Sequence, residues 1–255
     1  PLDQLPVVGE PGGDAVSIHL IGGGRSDDYD GEVYERFLAE AAARASSIGR
    51  DVARVAVLLV GGGEDAPLYS HAYREQLLRT APCDPVIAHV DEGEAFPSSV
   101  LTDIDGLLIG GGHTPSYLEA VLPIVEEIRL LVTDGLPYAG FSAGAMIAAD
   151  RAIIGGWQIG GVPICPEETG EDLDELTVVE GLGLVDLAVD VHAAQWGTLS
   201  RLIAATEAGL VDGGVAIDEF TVIIVGDGEL RVEGAGSVWR VSPGDEGVLV
   251  GTLGA

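Results

Sequence analysis

Three apolar runs in this chain each stop at a glycine triplet. Residues 16–21 (VSIHLI) lead into Gly22-Gly23-Gly24, residues 55–60 (VAVLLV) into Gly61-Gly62-Gly63, and residues 107–109 (LLI) into Gly110-Gly111-Gly112. The runs carry no apolar–polar alternation, so each reads as a strand buried on both faces, the pattern of a parallel sheet covered by helices. Helical patterns follow them over residues 32–46, 70–80 and 115–133. The last is expected to open with Thr114 as its cap and Pro115 in its first turn, and to kink at Pro123. Strand and helix in alternation predict an α/β fold, a doubly wound and mostly parallel sheet flanked by helices, with ligands beyond the carboxyl ends of the strands. On such a sheet the glycine triplets gather on one rim.

Toward the C-terminus the pattern changes. Residues 215–225, 228–233 and 237–241 are β-rich and separated by Gly-Asp-Gly and Gly-Ala-Gly. They predict a C-terminal antiparallel meander at the sheet edge. Residues 167–175 (EETGEDLDE) read as an exposed acidic loop. No Ser/Pro linker interrupts the 255 residues, so residues 1–255 are expected to form one α/β domain.

Charge narrows the function classes. The formal net charge is -30, and the 12 basic residues are all arginine. Neutralising phosphates needs a basic surface, so nucleic acid is not an expected partner. Such acidity is tolerated best where salt screens it, at about 3 Å in 1 M salt, or it reflects an arginine-favouring genome. No apolar stretch of membrane-spanning length occurs and residues 1–10 lack the pattern of a signal peptide, so the expectation is a cytoplasmic protein without membrane contact. Cys83 and Cys165 make no disulfide framework or metal spacing, and none of the glycine triplets has the form of a phosphate loop. No metal or other cofactor is expected.

Candidate chemistry enters at residues 136–149 (LPYAGFSAGAMIAA), a short apolar strand, then Gly140-Phe141-Ser142-Ala143-Gly144, then an alanine-rich helix start. A serine hydroxyl is a poor nucleophile unless it stands on a tight turn beside a base and near donors for an oxyanion, and strand–Gly-x-Ser-x-Gly–helix is the setting that provides this. In a chain with 38 glycines the pentapeptide also arises by chance. Of the five histidines, His19 and His89 lie inside apolar runs and read as packing residues, and His71 opens a surface helix. His192 follows the alternation of Leu187, Val189 and Val191 with Ala188 and Asp190, which places it at a strand end on the same rim. A strand-end histidine satisfied by a backbone carbonyl is the competing reading.

The strings IGGGHTPSYLEAV, GFSAGAM, GLGLVDLAVDVHAAQWGTLSRL and GVAIDEFTVIIV, in that order, resemble the dipeptidase E and cyanophycinase family of serine peptidases. The fold implied is similar to that of class I glutamine amidotransferases, with serine in place of cysteine at the elbow. The resemblance implies Ser142 as nucleophile, His192 as general base and Glu219 as the acid that orients the imidazole, with Asp218 the alternative, since alternation lets one of the two face His192. It places the oxyanion between the N–H of Ala143 and that of Gly111 or Gly112. The expected partner is a small peptide or amide substrate, and a homodimer stays open.

Recognition of aspartyl substrates calls for arginine near the site. Cyanophycinase-like sequences carry arginines after the histidine, where this chain has Trp196 and Thr198, leaving Arg201 one turn into the next helix. His113 stands where the family often shows an amide or an acid. The expectation is a dipeptidase E-like exopeptidase with non-aspartyl specificity, its substrate lying against His113, Gln195 and Trp196. A cyanophycinase, an esterase or amidase, and a binding module without turnover are the alternatives.

Overall fold

The computed structural model describes residues 17–24, 32–226 and 230–254. Its strands are, in chain order, β1 (Ile18–Ile21), β2 (Arg54–Val60), β3 (Asp84–Val90), β4 (Gly106–Ile109) and β5 (Tyr138–Phe141). Then come β6 (Arg151–Gly155), β7 (Gln158–Ile159), β8 (Val162–Pro163), β9 (Thr177–Glu180) and β10 (Ala188–Val191). The last are β11 (Gly214–Ile217), β12 (Thr221–Val225), β13 (Arg231–Gly234), β14 (Val238–Gly244) and β15 (Gly247–Leu253). The helices are α1 (Glu35–Ser47), α2 (Ala66–Thr80), α3 (Thr114–Val121), α4 (Val125–Thr133), α5 (Ala143–Ile147), α6 (Ala193–Trp196) and α7 (Leu199–Glu207).

The main sheet runs β13-β12-β1-β5-β4-β2-β3. The strands from β1 to β3 are mutually parallel, and β12 and β13 close one edge antiparallel. Alternate residues of the unalternated runs serve two separate cores. Leu20, Leu58, Leu107 and Ile109 pack with α3, α4, α5 and a second sheet, while Ile21, Val57, Leu59 and Leu108 pack with Phe37 and Leu38 of α1 and Tyr73 and Leu77 of α2. Burial on both faces is why Val, Ile and Leu dominate these strands, with His19 the buried polar exception in β1.

The second sheet, β10-β11-β14-β15, was not legible as a separate layer. Residues 215–225 do not run as one strand. They break at Asp218-Glu219-Phe220, with Phe220 at φ 55°, and the chain crosses there from β11 in the second sheet to β12 in the main one. Of the expected meander, only the β12–β13 pair lies on the main sheet edge, and β14 and β15 pair in the other layer. Val16 and the turn residues Asp227 and Gly228 lie outside the described residues.

Pro123 divides the helical pattern after the third triplet, with a 3-10 turn at Leu122–Ile124 between α3 and α4. The cap of α3 is His113, not Thr114. Thr114 is drawn into the first turn because its N–H and hydroxyl both bond the Glu171 carboxylate, at 3.0 and 3.2 Å. Glu171 therefore departs from the expected solvated loop, as does the buried Thr169 beside it. After β10 the single turn α6 precedes α7. Among the described residues no helix is long and apolar enough to cross a membrane.

Candidate active site

The turn after β5 is tight. Ser142 sits at φ 51°, ψ -109°, a strained backbone for a residue with a side chain, and its N–H bonds Ile21 O at 2.9 Å. The turn can close because neither flanking glycine has a Cβ. One on Gly140 would lie 2.3 Å from Gly144 O, and one on Gly144 would lie 2.3 Å from Ile109 O. α5 begins immediately behind the serine, and its first N–H groups have no acceptor within the helix.

β10 delivers His192 to that hydroxyl. His192 is 6% exposed, at φ 55°, ψ 37°, and its N–H bonds Gly22 O at 3.0 Å. Nε2 lies 2.9 Å from Ser142 Oγ, and Nδ1 lies 2.7 Å from Glu219 Oε1. An ionised carboxylate only accepts, so Nδ1 carries the proton and Nε2 accepts from the serine. Burial pushes the imidazole pKa below its ordinary value, and the Glu219 hydrogen bond and charge pull it part of the way back. Asp218 faces elsewhere: its carboxylate takes the N–H groups of Ala194 and Ser237 and the indole N–H of Trp239. Of the two neighbouring acids, Glu219 is the one at the imidazole.

The third glycine triplet lies against the elbow, where a Cβ on Gly111 would approach Ser142 Cβ to 2.9 Å. Gly111 N–H is already engaged, donating to Tyr73 Oη at 3.0 Å, while Tyr117 Oη donates to Gly111 O at 3.2 Å. Two tyrosines thus clamp this peptide. Among the described residues the N–H groups of Gly112 and Ala143 have no such acceptor in the protein.

The remaining residues expected at the substrate lie around this centre. His113 Nε2 donates to Glu171 O at 3.1 Å, which leaves Nδ1 to accept from Ser116 Oγ at 2.7 Å. Gln195 Oε1 accepts from Glu219 N–H at 2.9 Å. Trp196 is half-exposed and stacks on His192. Arg201 is 2% exposed and its guanidinium grips Asp190 at 2.8 and 2.7 Å and Thr169 O at 2.6 Å, so it has no free fork for a ligand. Although its burial works against the charge, the Asp190 partner holds its pKa above the ordinary value. Burial raises the pKa of Glu171, against the hydrogen bonds from Thr114.

Sequence reasoning missed three contributors here. Glu171 was hidden in an acidic run, Tyr73 looked like one more helix residue, and Gly23 was noted as part of a triplet without a partner. A Cβ on Gly23 would lie 2.1 Å from His192 Cε1. The one available signal was the triplet itself, since glycine where a strand ends marks a close backbone approach.

Comparison with known proteins bears on this geometry. The profile of peptidase family S51 matches residues 76–232, a span that holds Ser142, His192 and Glu219. A cyanophycinase of Synechococcus elongatus is 32% identical over 184 residues, covering 70% of this chain and 54% of that protein. The chain thus spans about half the length of that curated relative. Peptidase E of Shewanella sp. (strain W3-18-1) is 41% identical over 54 residues, 20% of this chain and 23% of that protein. Among solved structures, a Peptidase E-type protein of Listeria monocytogenes EGD-e superposes with a TM-score of 0.54 at 16% identity, covering 88% of this chain and 100% of that one. At that identity the likeness speaks for the fold.

Proposed function

Because the chain belongs to peptidase family S51, we propose that it is a serine peptidase that cleaves a peptide or isopeptide bond through an acyl-enzyme on Ser142. The observation that carries this reading is the unbroken line from Ser142 Oγ through His192 to Glu219, at 2.9 and 2.7 Å, on a strained elbow. His192 takes the hydroxyl proton as Ser142 attacks the scissile carbonyl, and Glu219 holds the tautomer and stabilises the imidazolium. His192 then gives the proton to the leaving amine, and water repeats the sequence to release the acyl group. The N–H groups of Gly112 and Ala143 receive the oxyanion, each such donor being worth about 100-fold to 1,000-fold in rate.

We infer a substrate side chain other than aspartate. A carboxylate needs a guanidinium fork or another free cation, and Arg201 is consumed by Asp190. Glu171 adds a carboxylate at the start of α3. Both features support a dipeptidase E-like exopeptidase acting on short peptides with neutral or flat side chains, bordered by His113, Gln195 and Trp196. A cyanophycinase is the second reading, favoured by the relative that covers 70% of the chain.

The deciding experiment is labelling with a fluorophosphonate probe, with the adduct located by mass spectrometry. An adduct on Ser142 that is lost in Ser142→Ala and His192→Ala is expected. A folded protein that takes no label, and hydrolyses nothing in a dipeptide and cyanophycin panel, is a binding module on a peptidase fold.

A further inference from the structure

His192 and Trp196 stand at the two ends of the single turn α6. Trp196 N–H bonds His192 O at 2.8 Å. The i, i+4 spacing brings both side chains to one face of the turn. Their rings stack, with centroids 3.7 Å apart and planes 6° from parallel. The indole therefore covers a face of the imidazole. Trp196 is itself 47% exposed, whereas His192 is 6% exposed, so the shielding falls on the histidine rather than on a core of which the indole is part.

The turn that carries the indole is bolted to the segment that carries the acid. Ala194 N–H donates to Asp218 Oδ1 at 3.0 Å, and Glu219 N–H donates to Gln195 Oε1 at 2.9 Å. Asp218 is anchored in turn by Ser237 N–H and Trp239 Nε1. Gly197 at φ 75° ends the turn directly after the tryptophan. The segments that carry the indole, the imidazole and Glu219 are thus joined by backbone-to-side-chain hydrogen bonds, beside the ring packing itself.

We propose that Trp196 is a positioning residue for the hydrolytic reaction: its indole holds the His192 ring in the plane that joins Ser142 to Glu219, and its π face stabilises the imidazolium formed when the serine proton is taken. An indole is the strongest aromatic partner for a cation, and a stacked, half-desolvated pair falls in the range where that attraction is felt. The other groups that act on the imidazole are the Ser142 hydroxyl, the Glu219 carboxylate, and Asp190 and Arg201, which oppose one another across their own ion pair. Gly23 backs the ring at Cε1 and contributes no charge. Beside the Ser142 hydroxyl, Trp196 is thereby an uncharged contact that distinguishes the cationic ring from the neutral one.

This rests on His192 acting as the base, so the test begins with a readout that needs no turnover. Protonated imidazole quenches a stacked indole. The emission difference between the wild-type chain and Trp196→Phe is expected to titrate with pH in both the active and the Ser142→Ala backgrounds, and its midpoint should coincide with the acid limb of kcat/KM. Trp196→Leu covers the ring without a π face. It is expected to move the acid limb down by about half a pH unit and to lower the plateau kcat about threefold. Trp196→Phe should restore most of both. A Trp196→Leu enzyme that folds normally and keeps the wild-type limb and kcat would overturn the proposal, as would hydrolysis accompanied by a flat emission titration. Emission that titrates in a chain hydrolysing no substrate would uphold the pairing and remove the peptidase reading instead.

Discussion

Gly23 and His192 occupy space that cannot be shared with one more carbon. A Cβ on residue 23 would sit 2.1 Å from Cε1 of the imidazole, and the glycine holds φ at 96°. The neighbouring Gly22 O takes the His192 N–H at 3.0 Å, and Gly23 O takes the Phe220 N–H at 2.9 Å. The first glycine triplet is thus the backing plate of the imidazole.

Gly23→Ala is therefore expected to displace the ring from the serine. A shift of about 1 Å at a reacting group costs roughly 100-fold in kcat. The left-handed backbone adds a stability loss of about 1–3 kcal/mol. Steady-state kinetics together with thermal melting separate the two effects.

Activity should fall on the acid side. His192 must be neutral to accept the serine proton, and burial depresses its pKa, so the acid limb of kcat/KM is expected below the unperturbed value of about 6.5. Stability follows the same sign. The unfolded chain binds this proton first, so stability is full above the unfolded pKa and is lost as pH falls toward the folded one. A pH profile of kcat/KM, set beside denaturation at pH 7 and pH 5, checks both.

Glu171 titrates the other way. Its partly buried carboxyl has a raised pKa, so between the unfolded and folded values the folded form keeps a proton that the unfolded chain has released, and stability declines as pH rises through that window. Glu171→Gln keeps an acceptor for Thr114 and removes the charge. The Tm gain of this variant over wild type should widen between pH 4 and pH 7, and a constant difference would contradict the burial of this carboxyl.

Arg201→Leu leaves Asp190 buried without its partner, and breaking such a pair costs about 3–5 kcal/mol. Adding Asp190→Leu is expected to recover most of that loss, as read by urea denaturation. The ratio of kcat/KM for aspartyl and neutral substrates should not change in either variant, because the guanidinium faces Asp190 and Thr169 rather than the cleft.

A panel of dipeptides and a cyanophycin preparation is expected to show no preference for aspartate at the cleaved position. Strong aspartate selectivity would mean that some other group supplies the missing cation.

The parallel half of the fold was legible because burial on both faces favours apolar residues in a strand, and Val, Ile and Leu dominate the runs before the glycine triplets. The elbow was legible because strand, Gly-x-Ser-x-Gly and helix are contiguous in the chain. The second sheet was not, since which sheet a strand joins is decided by distant partners: β11 pairs with β10 and β14, both far from it in sequence. The crossing at residues 218–220 depends on a left-handed Phe220, which no local residue preference announces. Likewise, hydrophobic patterning placed Glu171 among solvated acids because the pattern carries no record of Thr114, 57 residues away.

Ser142 hangs from the main sheet, while His192 and Glu219 hang from the strand ends of the second. The hydrogen bonds of Gly22 and Gly23 cross the seam between the two layers. On the proposed reading, hydrolysis would be a vernier: it would read whether the two layers joined across that seam are in register. Mild urea that lets the layers slip, while each keeps its own ladder, should silence the enzyme before circular dichroism registers any loss of strand or helix.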